Sequence, residues 1–160
     1  MDDTPLLSGL PLHPLLVHAV VVLLPLTVLA LLLAQFWPAA RRRLGVVTPL
    51  AALVVLVLVP ITTAAGEVLA EAVGPIPAVE AHEEYGVMLL PWAIALFVVA
   101  AAQWAWFRWG APRLPAARRG VGPAVYWLLA AASLIVGAGS VVLLVLIGES
   151  GSRAVWGGMG

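Results

Sequence analysis

Three histidines and a set of carboxylates are the residues in this chain whose types and spacing can do chemistry. The strongest local signal is His13-Pro14-Leu15-Leu16-Val17-His18. Proline suits the first turn of a helix, where its missing N–H costs nothing. His13 then sits near a helix cap. His18 lies four residues beyond Pro14, about 6 Å further along the axis at 1.5 Å rise per residue. An imidazole at that depth in an apolar run is a functional candidate, because membrane-embedded ionisable groups face a partner or a cavity. His82 falls in an acidic stretch with Glu67, Glu71, Glu80, Glu83 and Glu84, and Glu149 follows the last apolar run. Neutral imidazole is a common metal ligand. Three His plus a carboxylate suit zinc, copper or iron, and His from facing helices suit the axial positions of a b-type haem. His13, His18 and His82 are therefore the expected cofactor ligands, with Glu67 and Glu149 added for a divalent metal. Each residue also has a plain structural use: His13 as a cap, His18 bonded to a backbone carbonyl, His82 solvated among acids, and the acids setting topology. No dense ligand motif such as H-E-x-x-H is present.

The elements that must position these groups follow from hydropathy. Hydrophobic residues make up 63% of the 160-residue chain and charged residues 10%, against about a quarter charged in soluble domains. Stretches free of Asp, Glu, Lys and Arg run over 14–37, 46–66, 85–107 and 121–148. Each is long enough to cross about 30 Å of hydrocarbon as a helix. Lipid supplies no backbone partners, so such runs are expected to be helical, and they lack the alternation of a membrane β-barrel. The expected fold is all-α: a single domain, a four-helix transmembrane bundle, with a loosely ordered glycine-rich tail over 149–160. The acidic start (Asp2, Asp3) lacks the basic region of a cleavable signal, so the first run reads as a retained helix.

Charge sorting sets the orientation. All eight basic residues are Arg, and seven fall in the first and third loops: Arg41, Arg42, Arg43, Arg108, Arg113, Arg118 and Arg119. The positive-inside rule puts those loops in the cytoplasm and both termini outside. All eight acids and the histidines then gather at the outer face. Trp37, Trp104, Trp106, Trp109 and Trp127 near the inner ends, and Trp156 beyond the outer end, fit interfacial anchoring. Pro25, Pro60 and Pro91 are expected to kink their helices. Ala130, Ser133, Gly137 and Ser140 form a small-residue stripe suited to close packing. Each hairpin begins near a His (His13, His82) and ends near a Glu (Glu67, Glu149), a pattern that a duplicated hairpin and shared topology both explain.

At these residues the chain resembles a bacterial membrane family, domain of unknown function 2231. The family's opening H-P-x-x-V-H element is similar to His13–His18, and its H-x-x-x-G element to His82–Gly86. A closing element that begins G-H-x-G and ends V-[YW] is similar to Gly148–Trp156. Glu149 stands where many relatives have His. A carboxylate still ligates hard or borderline metals but is a poor partner for a bis-histidine haem. Fusion of some relatives to Rieske-type or cytochrome c-type domains implies redox surroundings.

The expectation is a small multi-pass protein of the bacterial cytoplasmic membrane, a redox-associated module with a metal or haem at its outer face. The alternative is a non-enzymatic accessory subunit, with a membrane redox partner or another copy packed on the helix-four stripe. A transporter is disfavoured because no charged residue lies mid-span. Hydrolase motifs and nucleophilic cysteine are absent, so the chain does not read as an enzyme. The Arg clusters are membrane-flanking, so no nucleic-acid partner is expected. With no native cysteine, single-cysteine labelling tests the orientation. An impermeant maleimide outside intact cells should label Glu71→Cys and spare Arg42→Cys; the reverse pattern would invert the topology.

Overall fold

The computed structural model describes residues 6–7, 10–74, 76–115 and 120–156. Asp2, Asp3, Arg118 and Arg119 lie outside the described residues. Two short segments, β1 (Leu6–Leu7) and β2 (Leu10–Pro11), pair antiparallel before the helices begin. The helices are α1 (Leu12–Phe36), α2 (Pro38–Leu44), α3 (Val47–Val73), α4 (Pro77–Ala105) and α5 (Val121–Trp156). A π-helical turn (Trp106–Gly110) and a 3-10 turn (Ala111–Arg113) follow α4. Four helices are long and apolar enough to cross a membrane, so the all-α, four-span reading holds.

The helices outrun the apolar stretches that define them. α3 has 27 residues, about 40 Å at 1.5 Å per residue. Glu67, Leu69, Ala70, Glu71 and Ala72 are good helix formers, so nothing stops the helix before Gly74. Gly74 has φ +88° and donates its N–H to Ala70 O, a terminator only glycine adopts cheaply. Pro77 then opens α4. The acidic segment is thus mostly helix, where the sequence suggested a loop. α5 likewise continues through Trp156, past the expected start of a loose tail, with a Glu149–Arg153 ion pair spanning one turn. Pro25, Pro60 and Pro91 each sit inside one continuous helix.

A single packing rule joins the helices. Buried residues recur in alternating steps of four and three: Val20, Leu24, Thr27, Leu31 and Ala34 on α1; Thr48, Ala52, Val55, Val59 and Thr62 on α3. The same steps give Leu89, Ala93, Leu96, Ala100 and Gln103 on α4, and Leu129 through Ser133, Val136, Ser140, Leu143 and Ile147 on α5. An average step of 3.5 residues keeps one seam facing the bundle and produces left-handed crossings. α1 and α4 each pack against both α3 and α5, so α1 and α4 face one another diagonally. The small-residue stripe is used inside the bundle: a Cβ at Gly137 would come within 2.9 Å of Val28 Cγ1, and one at Gly139 would strike the Trp92 ring. Outward positions such as Val22, Leu26, Val98, Leu128 and Val145 are exposed and apolar, which suits a lipid surround.

The arginine end carries a buried polar lock. Gln103 Nε2 reaches Gln35 Oε1 at 2.9 Å, Leu31 O at 3.3 Å and Ser133 Oγ at 3.4 Å. Gln35 Nε2 donates to Tyr126 O at 3.0 Å. Arg41 donates from Nε to Ala34 O at 2.6 Å and from Nη2 to Gln35 O, satisfying carbonyls in the last turn of α1. Its guanidinium lies 3.4 Å over the Phe107 ring. Burial lowers the Arg41 pKa from the usual arginine value. Replacing Gln103 by Ala leaves Gln35 Oε1 buried without that donor, so Gln103→Ala should cost about 1–3 kcal/mol. Denaturant titration in detergent micelles would measure it, and unchanged stability would mean the glutamine pair does not hold the helices.

Candidate functional site

The site forms at the opposite, histidine end, where α1 and α4 begin. Pro14 sits in the first turn of α1 and leaves His13 near the start of the helix. His13 and His82 are both half-buried. His13 Nδ1 lies 2.9 Å from Thr62 O on α3. A carbonyl oxygen only accepts, so Nδ1 carries the proton and donates. His82 repeats the arrangement on α5: its Nδ1–H is shared between Ile147 O and Ser150 Oγ, both at 3.1 Å. In each neutral ring the Nε2 lone pair is thereby left free. Such a bond from the remote ring nitrogen is what orients histidines in metal sites.

Glycine makes room for each ring. A Cβ at Gly66 would lie 2.9 Å from His13 Cε1, and one at Gly151 would lie 3.1 Å from His82 Cε1. In both hairpins the accepting carbonyl precedes the glycine by four residues, one helical turn: Thr62 and Gly66, Ile147 and Gly151. The α1–α3 and α4–α5 hairpins thus repeat one arrangement of histidine, accepting carbonyl and glycine. Across the bundle the imidazole centroids are 6.2 Å apart with ring planes at 86°.

Of the five expected ligands, the structure brings His13 and His82 together and places the others elsewhere. His18 is exposed, with Nδ1 donating to Pro14 O at 2.5 Å. Five residues turn a helix by about 140° beyond a full revolution, so His18 faces away from His13. It shares the outward face with Leu15, Val22 and Leu26. Glu67 lines an open cleft of about 510 Å³ with Glu71, Glu80 and Glu83. Glu149 is exposed and paired with Arg153 at 2.5 Å. Among the described residues, no group of three or more His, Asp or Glu is close enough to hold a metal ion. Neither Glu67 nor Glu149 joins the three histidines in one group among the described residues.

A family model for predicted membrane proteins, DUF2231, matches residues 9–159. The chain belongs to that family. The DUF2231 match takes in the His13–His18 element, all four long helices and Gly151. No curated protein and no solved structure matches the chain.

The sequence reading met Ser150 and Gly151 only inside the closing Gly148–Trp156 element and gave them no site role, and it missed Gly66 and the glutamine pair. Signals for a repeat were present. Ala34-Gln35-Phe36 recurs as Ala102-Gln103-Trp104, and Pro38-Ala39-Ala40-Arg41-Arg42 as Pro115-Ala116-Ala117-Arg118-Arg119. Aligning Glu67 with Glu149 set the wrong register. In the structure the glycines correspond, so Glu67 follows its glycine and Glu149 precedes its own by two residues. The tautomer is directly measurable. Nitrogen-15 spectra of ring-labelled protein should give His13 and His82 the Nδ1–H pattern; Nε2–H signals for both would remove the free ligand nitrogens.

Proposed function

We propose that this protein is a membrane-embedded ligand module that holds a metal ion, or the iron of a b-type haem, between His13 and His82. In this reading the histidine end faces outward across the cytoplasmic membrane and the arginine end faces the cytoplasm, following the positive-inside rule. One observation carries the proposal: two half-buried imidazoles approach across the bundle with both Nδ1 atoms committed to backbone carbonyls. The glycines let each ring reach its carbonyl, and the close approach of the two rings to one another is the part that helix-to-helix bonding alone does not require. The residues suit a metal in donor type and in the ring nitrogen that each keeps clear of a backbone bond.

The rest of the fold supports binding in place rather than passage. Leu24, Leu31, Val55 and Leu96 fill the middle of the bundle with essentially no exposed surface. A site at one end of a dry, packed bundle keeps its ligands at fixed separation, which is what a cofactor scaffold requires.

Detergent-purified protein should carry near-stoichiometric metal by elemental analysis, or a haem band in the visible spectrum. The His13→Ala/His82→Ala double variant should lose it while keeping its helicity and elution volume. His18→Ala should retain it. A folded wild-type protein that is colourless and metal-free, including after incubation with metal salts or haemin, would overturn the proposal and leave the accessory-subunit reading.

A further inference from the structure

We infer that the group held by His13 and His82 is a single monovalent copper ion, bound by the two Nε2 atoms in near-linear, two-coordinate geometry. The inference rests on reading the pair as ligands and goes further by naming the ion.

Coordination number decides first. His13 and His82 meet without a third His, Asp or Glu in coordinating reach among the described residues. Zinc in protein sites takes four ligands, at least three of them from protein. Divalent copper takes a tetragonal set, and calcium and magnesium take six or more oxygens. Each would have to take most of its shell from groups other than His, Asp and Glu side chains. A monovalent d10 ion has no ligand-field preference, and two neutral nitrogens on opposite sides of it are sufficient.

Separation agrees. Two metal–nitrogen bonds of about 2 Å plus the two ring radii come to roughly 6 Å between centroids when the nitrogens are opposed. The observed separation is 6.2 Å. A bent, tetrahedral N–metal–N angle would draw the rings closer than this. The 86° between ring planes keeps the ring C–H edges apart.

Charge and space narrow the choice further. The rings are half-buried, Glu149 is turned to Arg153, and Glu67 lines the acidic cleft. Without a contacting carboxylate, the desolvation cost favours a single positive charge over a double one. A haem iron would accept the same two axial nitrogens. Its macrocycle is several times wider than an imidazole, however, and Gly66 and Gly151 hold α3 and α5 against the two rings. Inserting it would part both hairpins.

The test is an anaerobic competition between full-length protein in detergent and a chromophoric Cu(I) chelator, with Zn(II) and haemin titrated in parallel. One equivalent of Cu(I) should bind, with X-ray absorption showing two nitrogen neighbours. His13→Ala and His82→Ala should each weaken binding by more than the roughly 100-fold that loss of an outer-shell partner costs. His18→Ala should leave it unchanged, and circular dichroism of each variant verifies folding. Binding of haem or zinc in place of Cu(I), lost with the same two substitutions, would overturn the copper assignment and leave the ligand-module reading standing. Failure of the folded wild type to bind any of the three would overturn both.

Discussion

Lipid removes the usual reason for helices to associate. Hydrocarbon solvates leucine as well as another leucine does, so contact must come from close packing and from polar groups that have nowhere else to go. The seam spaced at an average of 3.5 residues answers the first requirement. Ala52, Ala93 and Ala100 sit on it with no exposed surface, and Gly137 lets Val28 approach the α5 backbone. Everything at the ends of the bundle depends on this seam, because it fixes the distance across the diagonal between α1 and α4.

That diagonal is closed by polar side chains at both ends. Gln35 and Gln103 meet at one end through a direct hydrogen bond from Gln103 Nε2 to Gln35 Oε1, and His13 and His82 approach at the other without one. The contrast is physical. The glutamines spend their hydrogen-bonding capacity on one another and on backbone carbonyls, so they act as a lock. The histidines spend one ring nitrogen each on a carbonyl and keep the other.

The two hairpins repeat one histidine–carbonyl–glycine arrangement. The repeat is broken in detail: Ser150 precedes Gly151 and shares the His82 Nδ1–H, whereas Ala65 precedes Gly66 beside His13. The two rings are therefore equivalent in placement and unequal in their hydrogen-bonding surroundings.

The sequence by itself determined the number of spanning helices and the segregation of arginines from carboxylates. Both follow from transfer energies summed over long segments, which need no knowledge of neighbours. It also marked His13 and His82 as candidate ligands. Only the tertiary structure decided which ionisable groups meet. His18 has the same residue type as His13 and lies near it in the chain, yet helical rotation turns it outward. Glu149 occupies a plausible ligand position, yet Arg153 one turn later takes its carboxylate. The helix ends were misjudged because hydropathy reports where lipid stops, whereas α3 stops at Gly74, where the backbone takes a positive φ. Contacts such as His13 to Thr62 and His82 to Ile147 join residues 49 and 65 apart in the chain. They depend on the rotation and register of four packed helices, which no local pattern of residues encodes.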